Sequence, residues 1–414
     1  MAKKMRIAFI VGLFPALSAT FIQNQVTGLL DLGFDVQVFA GKNPKENKVH
    51  RDFLKYRLDE RVHYFSIPLN KGLRILKAIA LFLMNVHKGP RKLLKSLNAV
   101  KYGKEALSLN LFYHVIPFLG KNNTFDILHC HFGPNGIIGA YLHELGIKGK
   151  IVTTFYGYDL TSYPREEGPG VYERLFAAGN LFLPICDYFK QKLVAYGCET
   201  GKIRVHPVGI DLTKYRFSER RIEPGKTITI LTVGRLCEKK GFAYGIKAIA
   251  ALIRNFKNIR YLIAGDGPLR KNLLSLTAEL NIREQVEFIG SVDQEELVAL
   301  YEKAHIFLLP SVTARDGDQE GTPTVLLEAQ AVGLPIVSTR HSGIPEITAD
   351  EQSGFLAPEK DIEALRERLD YLLSHPEYWP EIGKKGRTFI EKRFNIETLN
   401  RRLTNYYQDE FFTR

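Results

Sequence analysis

The pattern that most constrains this chain is a short apolar run that stops at a glycine and is followed by helix-forming sequence. Arg6–Val11 stops at Gly12, Thr227–Val233 at Gly234, Arg260–Ala264 at Gly265, and Val286–Ile289 at Gly290. Unbroken apolar strands belong to parallel sheets covered on both faces, and the helices between them supply the covers. The predicted fold class is therefore α/β and doubly wound. In such folds ligands bind outside the carboxyl ends of the strands, where these glycine turns lie.

The chain has 414 residues, more than one core usually organises, so two domains are expected. The charged, turn-forming run from Lys214 to Lys226 separates them. The division adopted is 1–207, a first Rossmann-like domain, and 208–393, a second. A last helical run, Ile396–Glu410, carries Leu399, Leu403, Tyr406 and Tyr407, with Phe411 and Phe412 beyond it. Its apolar content predicts that residues from about 394 to 414 pack back on the first domain.

Lys3 and Lys4 before an apolar run, with Ala16–Ala19 beyond it, imitate a signal peptide, but Gly12-Leu-Phe-Pro15 interrupts the run early. A buried first strand is the better reading. No stretch reaches the ~18 apolar residues of a membrane span. Cys130, Cys186, Cys198 and Cys237 show no C-x-x-C spacing, which argues for a reducing compartment and against zinc. A cytoplasmic protein is expected, at most peripheral at the inner face of the plasma membrane. The net charge of +12 favours an anionic partner, but no nucleic-acid motif is present.

Several stretches carry candidate chemistry. Ser18 or Thr20 is expected to cap a helix running to about Leu32. The loop Gly12–Ser18 lacks G-x-G-x-x-G, which weakens a dehydrogenase reading. Phe125–His131 is a strand that delivers His131 to the sheet edge, where it can serve as acid or base or bond a sugar hydroxyl; the alternative is a satisfied core histidine. His129 is assigned to the other face of the strand. The next strand ends at Tyr156-Gly-Tyr-Asp159, and Ile203–Pro207 reads as a further short strand. In residues 71–106, nine basic side chains alternate with leucines and isoleucines, and Gly89-Pro90 splits the stretch into two amphipathic helices. Such a surface either rests on anionic lipid or presents solvated lysines to water.

In the second half, Arg235 and Lys240 flank a glycine turn at a helix start. Two cations and free amides make a diphosphate site there. Glu320-Gly-Thr-Pro-Thr-Val-Leu-Leu-Glu328 places two carboxylates around a second helix start, with Thr322 as N-cap and Pro323 as first helical residue. The pair can bracket a nucleotide-sugar, one carboxylate at the sugar and one at the ribose. Asp316-Gly317-Asp318 offers too few oxygens for a dedicated metal site, so no metal is expected.

Together, Gly234-Arg235 with Lys240, Gly265-Asp-Gly-Pro268, Glu320 through Glu328 and Gly333-Leu-Pro335 resemble glycosyltransferase family 4, retaining enzymes of GT-B fold. The first half, with Phe125–His131 and Thr154–Asp159, is similar to bacterial members that build exopolysaccharide, including the colanic acid type. The resemblance implies two Rossmann-like domains facing each other across a cleft, an acceptor domain first and a donor domain second. It implies that Gly234, Arg235 and Lys240 hold the donor diphosphate and stabilise the leaving group. Glu320 would contact the sugar hydroxyls, Gly321, Thr322, Pro323 and Thr324 would offer amides, and Glu328 would bind the ribose. The loop at Gly290 would hold the base, and Gly12 would let the donor phosphate approach. Tyr156 stands where the family often has histidine, which hands a related role to His131.

The expected activity is transfer of a hexose from a UDP-sugar, UDP-glucose before UDP-galactose, without a metal. The expected acceptor is a glycan or lipid-linked oligosaccharide in exopolysaccharide or cell-envelope polysaccharide synthesis. A GT-B nucleotide-sugar epimerase and a non-catalytic sugar-nucleotide-binding protein are the alternatives.

Overall fold

The computed structural model describes residues 4–16, 20–44, 51–120, 124–223 and 225–411. Ser18, Phe412 and most of the Ala16–Ala19 stretch fall outside them.

The first sheet contains β1 (Arg6–Leu13), β2 (Asp35–Lys42), β3 (Val62–Tyr64), β4 (Ile127–His131), β5 (Lys150–Phe155) and β6 (Leu181–Pro184). Its order is β3-β2-β1-β4-β5-β6, and every pairing is parallel. The second sheet contains β7 (Ile228–Val233), β8 (Ile259–Ala264), β9 (Val286–Gly290), β10 (Ile306–Leu309), β11 (Ile336–Thr339) and β12 (Gly354–Ala357). Its order is β12-β11-β10-β7-β8-β9, again parallel throughout. Each sheet winds outward from its first strand in one direction and then in the other. The order reverses between β1 and β4 in the first sheet and between β7 and β10 in the second. Crevices form at such reversals because the flanking loops leave to opposite faces.

The expected buried strands are present: Ile7–Val11 are all buried, as are β4, β6, β10 and β11. The edge strands β3 and β12 carry little sequence signal, since three or four residues cannot establish a period. Ile203–Pro207 is not a strand; Ile203 makes one isolated bridge to Phe182. The 71–106 segment is also not two helices. Lys71–Asn85 is one helix, but the rest breaks into Pro90–Ser96, Ala99–Tyr102 and Lys104–Leu107. Asn98 caps one piece, and Gly103, at φ 51, turns the chain between the last two.

The chain passes between the two sheets twice, and the passages lie side by side: Ile210 and Asn395 form a parallel bridge. The helix Ile396–Phe411 then lies on the first sheet's side. Leu403 and Tyr407 are fully buried in one cluster with Ile7, Phe9, Val26 and Ile127.

Candidate functional site

Three glycine turns line up at the carboxyl edge of the second sheet. The Gly265 amide donates to Gly290 O at 2.7 Å. A Cβ on Gly265 would stand 2.0 Å from Gly234 O, and its φ of +135 is already unfavourable for other residues. The ends of β7, β8 and β9 can therefore approach backbone to backbone. Arg235 leaves this edge exposed, and no hydrogen bond or ion pair joins its side chain to another described residue.

Across the reversal from β7, the loop after β10 brings in Glu320, only 8% exposed. Lys240 Nζ lies 2.9 Å from its Oε2 and Lys239 Nζ 3.4 Å from its Oε1. Burial alone would raise the Glu320 carboxyl, but Lys240 and Lys239 more than offset it and hold it at about 2. Lys239 also pairs with Asp318 at 3.0 Å, so that carboxylate faces a lysine. Adjacent lysines in the sequence pointed to the cation site, but nothing local showed that Lys239 shares Glu320.

The helix after Glu320 starts later than expected. It spans Thr324–Ala331, and Pro323 is its cap residue with φ −58 and ψ 117. Proline dictates the φ, but the extended ψ keeps Pro323 outside the helix. Thr322 is thus not the N-cap; its hydroxyl is buried and has no partner among the described residues. One turn further on, Glu328 accepts the Tyr301 hydroxyl at 2.8 Å. Burial raises its carboxyl, and the tyrosine bonds only partly counter this. Glu328 and Thr324 line a pocket between the two halves, opposite Thr20 and Asn24 and beside Asp211 and Gln294.

The first sheet supplies the opposing wall. His131 ends β4, and β1 runs one residue past Gly12 to Leu13 rather than stopping at the glycine, so both residues lie at the sheet edge on either side of its reversal point. His131 is wholly buried, and burial lowers its ring to about 3, which keeps it neutral. Its Nδ1 lies 2.7 Å from the Tyr156 hydroxyl, and its ring stacks on Phe9 and His129 at 4.7 and 4.5 Å. His129 therefore shares the face of His131, as the two-residue period of a strand requires, and its assignment to the opposite face is corrected. Both its ring nitrogens are bonded, to Tyr407 OH at 2.6 Å and Thr154 Oγ1 at 2.7 Å, which is a structural role.

Asp159 joins the loops after β4 and β5 by accepting the amides of Gly133, Tyr156 and Gly157. Burial nevertheless pushes it up to about 6. The two walls touch at Gly321, where a Cβ would stand 2.2 Å from Tyr156 O. Glu346 adds a second bond between them, accepting the amides of Asp187 and Tyr188 at the start of helix Asp187–Ala195.

Two doubly wound domains, with a cation turn and a two-carboxylate helix start meeting at one reversal point, define a GT-B glycosyltransferase. Residues 18–214 match the family described as Glycosyltransferase Family 4, and residues 214–389 match Glycosyl transferases group 1. The chain is 37% identical over 415 residues to the putative colanic acid biosynthesis glycosyltransferase WcaL of Escherichia coli K12, covering 98% of this chain and all of that one. It is 36% identical over 404 residues to the amylovoran biosynthesis glycosyltransferase AmsK of Erwinia amylovora, covering 96% and 98%. Among solved structures, Anabaena HepE with UDP and glucose superposes with a TM-score of 0.72 at 14% identity, over 98% of this chain and all of that one. The sucrose-phosphate synthase of Thermosynechococcus elongatus superposes at 0.71, with 19% identity over 99% of both chains. The chain belongs to glycosyltransferase family 4 and is a glycosyltransferase.

Proposed function

We propose that the protein is a retaining, metal-independent transferase that moves a hexose from a UDP-sugar, UDP-glucose first and UDP-galactose second, onto a glycan or lipid-linked oligosaccharide during exopolysaccharide assembly. The observation that carries this is the meeting of the Arg235/Lys240 turn with the Glu320–Glu328 loop across the β7–β10 reversal point. The names of the colanic acid and amylovoran relatives support the pathway class, and the UDP and glucose held by HepE, a protein of the same fold, support the donor class.

The chemistry follows from charge. Cleavage of the sugar C1–O bond places negative charge on the departing diphosphate. Arg235, Lys240 and the amides at the start of helix Thr324–Ala331 stand where that charge grows. Glu320 accepts hydrogen bonds from the sugar hydroxyls and Glu328 from those of the ribose. Gly234 and Gly290 let the diphosphate and the base approach main chain, and Gly12 does the same from the first domain. His131, buried and neutral, acts through Tyr156 by holding its hydroxyl.

We also propose that residues 71–106, with Leu69 and Leu107 at their edges, make the membrane contact. Of the fifteen residues in helix Lys71–Asn85, only Ala78 and Asn85 are buried. Leu69, Leu76, Leu83 and Met84 are 81, 67, 68 and 66% exposed, with Leu94 and Leu107 beyond them. An apolar face this large, flanked by lysines and arginines, fits the surface of an anionic bilayer. Among the described residues no helix is long and apolar enough to cross a membrane.

The test is nucleotide release from a panel of UDP- and GDP-sugars, with the anomeric configuration of the product read by NMR. Arg235→Ala should lose about ten- to hundredfold in rate, the worth of one charge-assisted bond. Unimpaired Arg235→Ala, an inverted product, release only from GDP-sugars, or complete EDTA inhibition reversed by Mn²⁺ would each overturn the corresponding part. Binding to anionic vesicles that survives Leu76→Glu with Leu83→Glu would remove the membrane assignment.

A further inference from the structure

The loop that carries Glu320 is held by a pair of side chains far from it in sequence. His341 follows β11 and is wholly buried; Glu359 follows β12. The main-chain N–H of Glu320 points at His341 Nε2, 3.0 Å away. A peptide N–H only donates, so Nε2 is the acceptor and the imidazole proton sits on Nδ1. Nδ1 in turn lies 2.6 Å from Glu359 Oε1, which receives that proton's hydrogen bond. Glu359 Oε2 also accepts the Thr313 amide at 2.7 Å. Burial would raise the Glu359 carboxyl, but the bonds from Thr313 and His341 outweigh it and hold the group ionised.

Thr313 and Glu320 are the two ends of the central stretch of the loop, residues 310–323, between β10 and the donor helix. Glu359 grips one end directly and the other through His341. Gln319, between them, donates to Thr313 Oγ1 at 3.0 Å and accepts the Tyr188 hydroxyl of the first domain at 3.0 Å. Besides the lysine ion pairs, the loop is thus tied at Thr313, Gln319 and Glu320, and the histidine is the group that fixes the main chain of the residue proposed to meet the sugar.

We propose that His341 and Glu359 are a positioning pair that sets the main chain at Glu320, and with it the Glu320 carboxylate and the Gly321–Thr324 amides, against the donor sugar. This rests on the reading of that loop as the donor-sugar site. The ion pair to Lys240 governs the charge of Glu320. The histidine governs where its backbone stands, a separate requirement because a displaced carboxylate keeps its charge but misses the hydroxyl. Nucleotide binding, proposed for Arg235 and Glu328, does not pass through the pair.

The decisive measurements are steady-state kinetics with the most rapidly hydrolysed nucleotide-sugar of the panel, together with UDP affinity by calorimetry. His341→Leu should lower kcat about ten- to hundredfold, as expected for an unpaired buried amide that shifts its loop, with the UDP Kd within about twofold of wild type. His341→Gln, whose side-chain oxygen can accept the same N–H, should recover much of that loss. Glu359→Ala should fall in the same direction, and the His341→Leu, Glu359→Ala double variant should be little worse than either alone, since the two act as a unit. Glu359 is partly exposed, so its variant tests the pair even where His341→Leu does not fold. A kcat within twofold of wild type for Glu359→Ala and for the folded His341 variant overturns the proposal, as does an additive double variant. Nitrogen-15 NMR of histidine-labelled wild type reads the tautomer directly: an unprotonated Nε2 on His341 is expected, and a protonated one overturns the pairing. Wild type that releases nucleotide from no donor would count against the proposed function instead, leaving the tautomer to decide the pair.

Discussion

Lys240 Nζ lies 2.9 Å from Glu320 Oε2, and the two residues are separated by eighty positions in the chain. The contact crosses the reversal point of the second sheet, joining the loop after β7 to the loop after β10. It explains how a carboxylate 8% exposed remains ionised. The same contact makes the stability of this domain sensitive to acid.

The sign is set by the depressed carboxyl. Glu320 sits at about 2 in the folded chain, against an ordinary value of 4.5. Its ion pair therefore contributes fully above about pH 4.5 and is lost as the pH falls towards 2. The contribution is on the order of 3 kcal/mol, from about 1.4 kcal/mol per unit. Urea unfolding across that window should show a steep fall for wild type and a flatter one for Glu320→Gln. Parallel curves would place the acid sensitivity elsewhere.

Glu328 should report on binding rather than on chemistry. Glu328→Gln is expected to raise the donor KM and the UDP Kd together, about tenfold or more, with a smaller change in kcat. Tyr301→Phe, which removes only the hydroxyl that bonds Glu328, should show the same pattern more weakly. A kcat defect at unchanged Kd would assign Glu328 to the reacting end of the donor instead.

Gly321 is a point of close backbone approach between the walls. A methyl group there would stand 2.2 Å from Tyr156 O and 2.6 Å from Ile185 Cδ1. Backbone oxygen cannot yield as a flexible side chain does, so Gly321→Ala must part the loops. A displacement of about 1 Å is worth about a hundredfold in rate. Circular dichroism should remain that of wild type while transfer falls by that order; near-normal transfer would show that the walls need not touch.

The last helix can be probed at Tyr407. Tyr407→Phe leaves His129 Nδ1 buried without its 2.6 Å partner. The expected loss is about 1–3 kcal/mol in urea unfolding, with kcat nearly unchanged. A loss of activity without a loss of stability would link this helix to the active cleft through Thr154 and Tyr156.

Legibility varied with the range of the interaction concerned. The strand ends at His131 and before Gly234 were readable because burial on both faces leaves a nearly continuous run; β1 runs past Gly12 to Leu13, and β9, with Glu287 exposed, was legible mainly from its closing Gly290. The Glu320–Glu328 spacing was readable because both residues flank one local helix start. The start itself shifted by one residue because Pro323 takes an extended ψ that its ring does not control. Lys71–Asn85 was readable as a helix, but the breaks after it depend on Asn98 and Gly103 acting as local stops within a helical periodicity. His341 and Glu359 carry no such pattern: the partner of His341 is a main-chain amide, which every residue has, on a different loop.

By itself the sequence determined that this chain forms two parallel, doubly wound sheets and which strand ends carry polar chemistry. These follow from apolar periodicity and from glycine's freedom to turn, both local properties. Only the tertiary structure decided which loops meet: Lys239 and Lys240 on Glu320, Gly321 under Tyr156, His341 behind the Glu320 amide, and Tyr407 against His129. The lysines meet Glu320 where the strand order reverses, Tyr407 reaches His129 because the chain crosses back at Ile210 and Asn395, and the other two pairings join loops of neighbouring strands or facing domains. They depend on distances of about 3 Å between groups that no sequence period connects.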